Sequence, residues 1–294
     1  MPHADDIWAG EAVASGMQVL DLRRLGDTSF EADSLPMPGG RAYGGQVLAQ
    51  ALLAAGHTVE AERLMHSMHG YFLRPGDASR PITFEVEVLR DGRSFSARRT
   101  HAFQDGQPIL SMIASFQLPQ EGPDHQVTMP EVPRPDEVVS ALDILAPFEG
   151  DARADYWLKR TPFDLRHIEG SLLFKPDRSP KQYQTTWVRL RQPIEASDLT
   201  HRALLAFGCD QVMLEPLLRR HGASWMTPGL NFASLDHAMW WHRPARADEW
   251  LLYLQDAPTA QGGRGLGGTW IFSEDGRLVA SAAQEGMFRL PLDD

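Results

Sequence analysis

Thr83-Phe84-Glu85-Val86-Glu87-Val88-Leu89 alternates polar and apolar side chains with period two, as a strand with one buried face must. Asp91-Gly92 follows as a tight turn, then Ser94 to Phe103, a second turn at Asp105-Gly106, and Ile109 to Phe116. Three strands joined by two short turns make an antiparallel meander. Upstream, past the turn-rich Pro36, Pro38, Gly39 and Gly40, Tyr43-Gly44-Gly45-Gln46 leads into Val47, Leu48, Ala51, Leu52 and Ala55, one broad helical face. Ala49, Leu53 and Ala54 carry the apolar surface around the helix, so it needs burial on most sides, and the curled meander can wrap it. A buried helix preceding an antiparallel sheet is an α+β arrangement, not a βαβ series.

The second half repeats this plan. Tyr183 to Leu190 reads as a strand and Leu199 to Leu218 as a helix carrying Leu204, Leu205, Val212, Met213, Leu217 and Leu218. Trp250 to Gln255, Gly268 to Phe272, a turn at Asp275-Gly276 and Leu278 to Met287 complete it. Phe72-Leu73-Arg74-Pro75 matches Trp241-His242-Arg243-Pro244, an offset of 169 (74 to 243), and Asp105-Gly106 matches Asp275-Gly276, an offset of 170 (105 to 275). A near-constant offset at two landmarks indicates duplication. Residues 1–120 are read as the first repeat, 121–161 as a Pro-rich linker with a short helix over Glu137 to Leu145, and 162–294 as the second repeat. No ordered element is expected before Pro36, where Trp8 is isolated.

The chain has 294 residues and a formal net charge of −11. That balance argues against a nucleic-acid partner, which needs basic surface. The most apolar run, Val47 to Ala55, contains Gln50 and is far short of the ~20 residues that span a bilayer, so no stable membrane association is expected. Met1 to Gly10 lacks the pattern of a secretory signal, and Pro291-Leu292-Asp293-Asp294 is no peroxisomal S-K-L signal, which favours the cytoplasm. A single cysteine, Cys209, permits neither an intrachain disulfide nor a cysteine-based zinc site.

No G-x-S-x-G elbow, phosphate-binding P-loop or H-E-x-x-H helix is present. Gly263-Arg264-Gly265-Leu266-Gly267-Gly268 fits G-x-G-x-x-G, but strand-like Thr269-Trp270-Ile271-Phe272 follows where a dinucleotide site needs a helix N-terminus. It reads as a flexible strand entry. The histidines show no metal-ligand spacing beyond His66/His69 and His237/His242, which are read as capping or core hydrogen-bonding residues.

Several longer motifs carry a family likeness. These are Gly44-Gly45-Gln46 opening an apolar helix, Tyr71 to Gly76 (YFLRPG), Leu89 to Arg99 (LRDGRSFSARR), Leu235 to Pro244 (LDHAMWWHRP) and Val279 to Gly286 (VASAAQEG). Together they resemble acyl-CoA thioesterase II. The resemblance implies a tandem double hotdog fold, two long helices each wrapped by an antiparallel sheet, and hydrolysis of fatty acyl-CoA to free acid and CoA without a cofactor. It implies a homo-oligomer as well. Its site of Asp, Thr or Ser, and Gln falls on Asp210, Ser234 and Gln284. Ser at 234 keeps the hydroxyl but lacks the methyl that limits a threonine's rotamers, so looser positioning is expected.

Thioester hydrolysis needs an aimed water, a base, and donors for the developing oxyanion. Asp210 can take the proton, while Ser234 and Gln284 can hold the water or the oxygen. A thiolate leaves readily, so direct attack by water needs no covalent intermediate. With the repeats aligned on Gly106 and Gly276, Ala114 stands opposite Gln284, and one active site per chain is expected, in the second repeat. Arg90, Arg93, Arg98 and Arg99 are candidates for the positive patch that CoA phosphates require. Two other readings stay open at this stage. A non-catalytic acyl-CoA binding protein would keep the apolar tunnel without needing the three polar residues. A hydratase or dehydratase on the same fold would use Asp236-His237, which are read here as structural.

Overall fold

A computed structural model describes residues 4–177 and 181–291. The C-terminal Leu292-Asp293-Asp294 and the first three residues of the N-terminal stretch, both read above for targeting signals, lie outside that range. In chain order the first half comprises α1 (Ala4–Leu20), β1 (Arg23–Arg24), β2 (Ser29–Ala32), α2 (Gly44–Gly56), β3 (Leu64–Phe72), β4 (Ile82–Asp91), β5 (Phe95–Gln104) and β6 (Gln107–Gln117). Then come α3 (Ala141–Leu145), α4 (Ala152–Lys159), β7 (Phe163–His167), β8 (Tyr183–Leu190), α5 (Asp198–Val212), α6 (Glu215–Arg220) and β9 (Asn231–Ser234). Finally β10 (Asp236–Trp241), β11 (Leu251–Gln261), β12 (Arg264–Ser273) and β13 (Leu278–Arg289) close the second half.

The strands form one antiparallel sheet in the order β1-β2-β4-β5-β6-β3-β10-β13-β12-β11-β8-β7, with β9 also on β13. The two halves join edge to edge where Met68 of β3 pairs with Met239 of β10. Closing each repeat's edge strand on its copy removes two exposed rows of backbone donors and acceptors. This is the double hotdog arrangement. The duplication extends to individual hydrogen bonds. The amides of Leu73 and Arg74 both reach the Ile109 carbonyl, at 2.8 and 3.4 Å, and those of His242 and Arg243 both reach Val279, at 2.8 and 3.3 Å. The Arg74 guanidinium caps Pro108 O at 2.9 Å, and that of Arg243 caps Leu278 O at 2.8 Å.

Helix α2 is buried over all of Gly45 to Gly56, as its all-round apolar surface requires. Its two interior glutamines are fully buried and hydrogen-bonded to the N-terminal segment, with Gln50 Oε1 left without a partner among the described residues. Gln50 Nε2 donates to Val19 O and Asp33 O, both at 2.7 Å, and Gln46 Oε1 accepts from the Leu35 amide at 2.9 Å. Those contacts explain why ordered elements precede Pro36 among the described residues, contrary to the expectation of none. α1 lies against α2 and α4, and Trp8 stacks under Lys159. Sequence periodicity missed α1 because its apolar positions do not gather on one face.

Three other readings need correction. The single helix expected over Leu199 to Leu218 breaks at Met213-Leu214, with Pro216 in the first turn of α6. Gly263 to Gly268 is no flexible entry. Gly262 (φ 62°) and Gly263 (φ 75°) form the two-residue turn between β11 and β12. Gly265 and Gly267 face the helix break, where a Cβ on Gly267 would lie 2.3 Å from Met213 O and one on Gly265 2.5 Å from Leu217. The helix expected over Glu137 to Leu145 is confined to Ala141–Leu145, N-capped by Ser140, because Val138 is extended. The Pro-rich stretch before it is docked: Trp187 Nε1 donates to Pro133 O at 2.9 Å, and Gln126 Nε2 to Gly276 O at 2.8 Å.

Candidate active site

Side-chain alternation along two neighbouring strands builds the polar centre. On β13, Ala280, Ala282, Gln284 and Gly286 face the helices, and on β10 His237, Met239 and Trp241 do so. Ser234, at the end of β9, stands opposite Gly286. A Cβ on Gly286 would lie 2.3 Å from Leu214, so this glycine admits the helix break that follows Asp210. Asp210 comes down from the last turn of α5.

These elements bring together the three residues singled out from sequence. Ser234 Oγ donates to Asp210 Oδ1 at 3.0 Å, and Gln284 Nε2 donates to the same oxygen at 2.8 Å and to Ser234 Oγ at 2.7 Å. Ser234 therefore has both an acceptor and a donor fixing its hydroxyl, which supplies the positioning that a threonine methyl would otherwise give. Both donors use Oδ1. Asp210 Oδ2 faces the N-terminus of α2, where a Cβ on Gly44 would lie 3.0 Å from it and 3.1 Å from the Phe72 ring. Gly45 allows the next close approach, since its Cβ would fall 2.6 Å from Phe207 O on α5. Tyr43 locks the crossing by donating its hydroxyl to that carbonyl at 2.9 Å. Tyr43 makes no side-chain cap, and the first amides of any α-helix lack intrahelical partners, so α2 presents free donors beside Asp210.

A cavity of about 530 Å³ opens over this centre. Asp210, Ser234 and Gly44 line it, with Phe72, Trp157 and Trp225 among its apolar walls. Gln284, 1% exposed, is not part of the lining and lies behind the other two. The polar side chains thus come from the second repeat, while the first sets α2 and Phe72 against them and supplies much of the cavity wall, Arg41, Arg74 and Ile109 included. At the related positions of the first repeat stand Met68 for His237 and Ala114 for Gln284, themselves paired across β3 and β6. No polar centre can form there.

Asp236, His237 and Cys209 lie beside the centre. Asp236 is structural as expected: its Oδ1 accepts from the Glu285 amide at 2.7 Å and ties β10 to β13. His237, also read as structural, is fully buried with Nδ1 hydrogen-bonded to Gln284 Oε1. Burial lowers its pKa, against the opposing pull of Asp210. Burial likewise pushes the Cys209 thiol up, reinforced by Asp210, so the thiol beside the centre is protonated and no nucleophile.

The arginine expectation fails. Arg98 is 3% exposed and spent on Thr58 and Asp91, Arg99 pairs with Glu87, and none of Arg90, Arg93, Arg98 and Arg99 lines the cavity. They sit on or beside the β4–β5 hairpin, whose outward side chains point away from the helices. Arg41 and Arg74 line the cavity instead.

Comparison with known proteins bears on this geometry. An acyl-CoA thioesterase N-terminal domain profile matches residues 32–117 and an acyl-CoA thioesterase C-terminal domain profile matches residues 123–288. The chain belongs to the acyl-CoA thioesterase family. Acyl-CoA thioesterase 2 of Haemophilus influenzae is 34% identical over 276 residues, covering 93% of this chain and 96% of that protein. Human acyl-coenzyme A thioesterase 8 is 37% identical over 285 residues, covering 92% and 88%. Among solved structures, acyl-CoA thioesterase II TesB2 from Mycobacterium marinum superimposes with a TM-score of 0.77 at 39% identity, covering 94% of this chain and 98% of that one. Within this acyl-CoA thioesterase family member, Gly44 and Gly45 were visible in the sequence as a motif. Phe72 and His237 stood inside quoted motifs, while Trp157 and Trp225 carried no signal of their own; only the tertiary fold places all four around Asp210.

Proposed function

We propose that the chain hydrolyses fatty acyl-CoA to free fatty acid and CoA by direct attack of water. The observation carrying this reading is the division of labour on Asp210, with Oδ1 held by Ser234 and Gln284 and Oδ2 turned to the cavity beneath α2. A carboxylate fixed through one oxygen presents the other as a general base. Water on Oδ2 loses its proton there as its oxygen bonds the thioester carbon. The carbonyl oxygen becomes an oxyanion, met by the free amides and positive dipole end of α2. Collapse of the tetrahedral species breaks the C–S bond, and the proton on Asp210 passes to the departing thiolate. Gln284 acts from behind, holding Asp210 and Ser234 and not the water.

The apolar walls suit an acyl chain, and Arg41 and Arg74 suit the phosphates of CoA. The relatives named as acyl-CoA thioesterases support the same substrate. The dehydratase reading loses its acid, because His237 is buried behind Gln284 and does not line the cavity. Residues 1–120 and 162–294 as the two repeats, a homo-oligomer and the cytoplasm belong to the same proposal, on the sequence grounds given above.

The test is a single turnover in 18O-labelled water with enzyme in excess over acyl-CoA. Direct attack puts the label in the fatty acid. Label in Asp210, or a trapped acyl-enzyme, would overturn the mechanism; no thiol release from any chain length would favour the binding protein.

A further inference from the structure

Hydrogen-bond polarity reaches one residue beyond the three at the centre. An ionised carboxylate can only accept, so the Gln284 atom facing Asp210 Oδ1 must be the NH2 group. That fixes Oε1 on the opposite side, against His237 Nδ1. Two acceptors cannot share a hydrogen, so Nδ1 must carry the proton. We propose that His237 is a positioning residue: its Nδ1–H holds the Gln284 amide in the one orientation that can donate to both Asp210 and Ser234.

Two further observations agree. His237 Nε2 is buried and has no hydrogen-bond partner among the described residues. An unpaired lone pair there is tolerated far better than an unpaired N–H would be, so the neutral Nδ1–H tautomer is the form that fits. The duplicated half supplies an internal control. Where the polar centre is missing, imidazole and amide are missing together, replaced by the paired Met68 and Ala114. A histidine retained merely to fill the sheet interior has no reason to appear only beside the glutamine. With His237 gone, Gln284 Oε1 is a buried acceptor without a donor, and the amide can rock or flip, leaving Asp210 with one donor in place of two.

The inference rests on the hydrolytic reading of Asp210, Ser234 and Gln284, and its test has one arm independent of activity. Long-range 1H–15N correlation spectra of histidine-labelled protein should show His237 as the Nδ1–H tautomer. The Nε2–H tautomer would overturn the proposal even if Asp210→Asn proved fully active and the hydrolytic reading failed. The kinetic arm compares His237→Leu, His237→Gln and His237→Asn, with folding checked by thermal melts. Asparagine places an N–H where Nδ1 stands; glutamine places one nearer Nε2. Expected is a loss of about 100-fold in kcat for Leu and Gln with KM changed less than about twofold, and recovery to within about fivefold for Asn. Equal losses in folded Asn and Gln variants, or a loss confined to KM, would show a packing role and overturn it. The Asn and Gln pair decides even if the Leu variant does not fold.

Discussion

Gln284 Nε2 lies 2.8 Å from Asp210 Oδ1, joining a strand and a helix separated by 74 residues of sequence. That bond and the parallel one from Ser234 consume one carboxylate oxygen and orient the other. Asp210→Asn keeps the shape but removes the proton acceptor. The expected result is a fall in kcat of about 10²- to 10⁴-fold with little change in KM or melting temperature, read as thiol release from acyl-CoA. Activity equal to wild type would remove Asp210 from the mechanism.

Ser234 tests the hydroxyl separately from its methyl. Ser234→Ala removes one hydrogen bond to a charged group, worth about 1.5–3 kcal/mol, so kcat should drop about 10- to 100-fold. Ser234→Thr should stay within a few-fold of wild type, because the two bonds already fixing the hydroxyl are retained. A threonine variant as poor as alanine would show that the extra methyl cannot be accommodated.

Adjacent glycines should separate stability from activity. Gly45→Ala drives a Cβ to 2.6 Å from Phe207 O, backbone that cannot step aside, and should cost about 1–3 kcal/mol as α2 and α5 are forced apart. Gly44→Ala meets Asp210 Oδ2 at 3.0 Å and should lower kcat more than it lowers the melting temperature. Chemical denaturation beside steady-state kinetics would show whether the two effects divide in this way.

The cavity arginines give a prediction about substrate charge. Arg41→Ala should raise KM for acyl-CoA about three- to tenfold and weaken its dependence on ionic strength. Arg93→Ala, outside the cavity, should change neither. An equal effect from both would return the phosphate site to the β4–β5 hairpin.

Histidine burial sets an acid limit. Burial lowers the pKa of His237, and likewise those of His57, His66, His201, His221 and His242, from the ordinary 6.5. Below pH 6.5 the unfolded chain binds protons that the folded chain refuses, so stability rises with pH in this window. The melting temperature should therefore fall as pH drops from 7 through 6.5 and below, and His237→Asn should flatten part of that slope. A melting temperature that climbs on acidification through this range would contradict the sign.

Period-two alternation at Thr83 to Leu89, the all-round apolar helix after Gly44 and the landmark offsets of 169 and 170 determined by themselves an α+β fold written twice. Such features are local: each strand or helix declares which faces it must bury. Asp210, Ser234 and Gln284 were reachable through motif resemblance, since their neighbours in sequence carry the pattern. The arginines were misassigned because a sequence shows how many charges a hairpin holds but not which way its faces turn. α1 was missed because its apolar positions do not gather on one face and the helices it packs against, α2 and α4, lie far along the chain. Only the tertiary structure decided that the candidate site of Asp210, Ser234 and Gln284 sits where the first repeat's helix N-terminus meets the second repeat's sheet. It decided likewise that Gln284 stands behind Asp210 and that His237 stands behind Gln284. Those relations are set by the closing of β3 on β10 and the crossing of α2 on α5 at Gly45, contacts between segments with no local signature of each other.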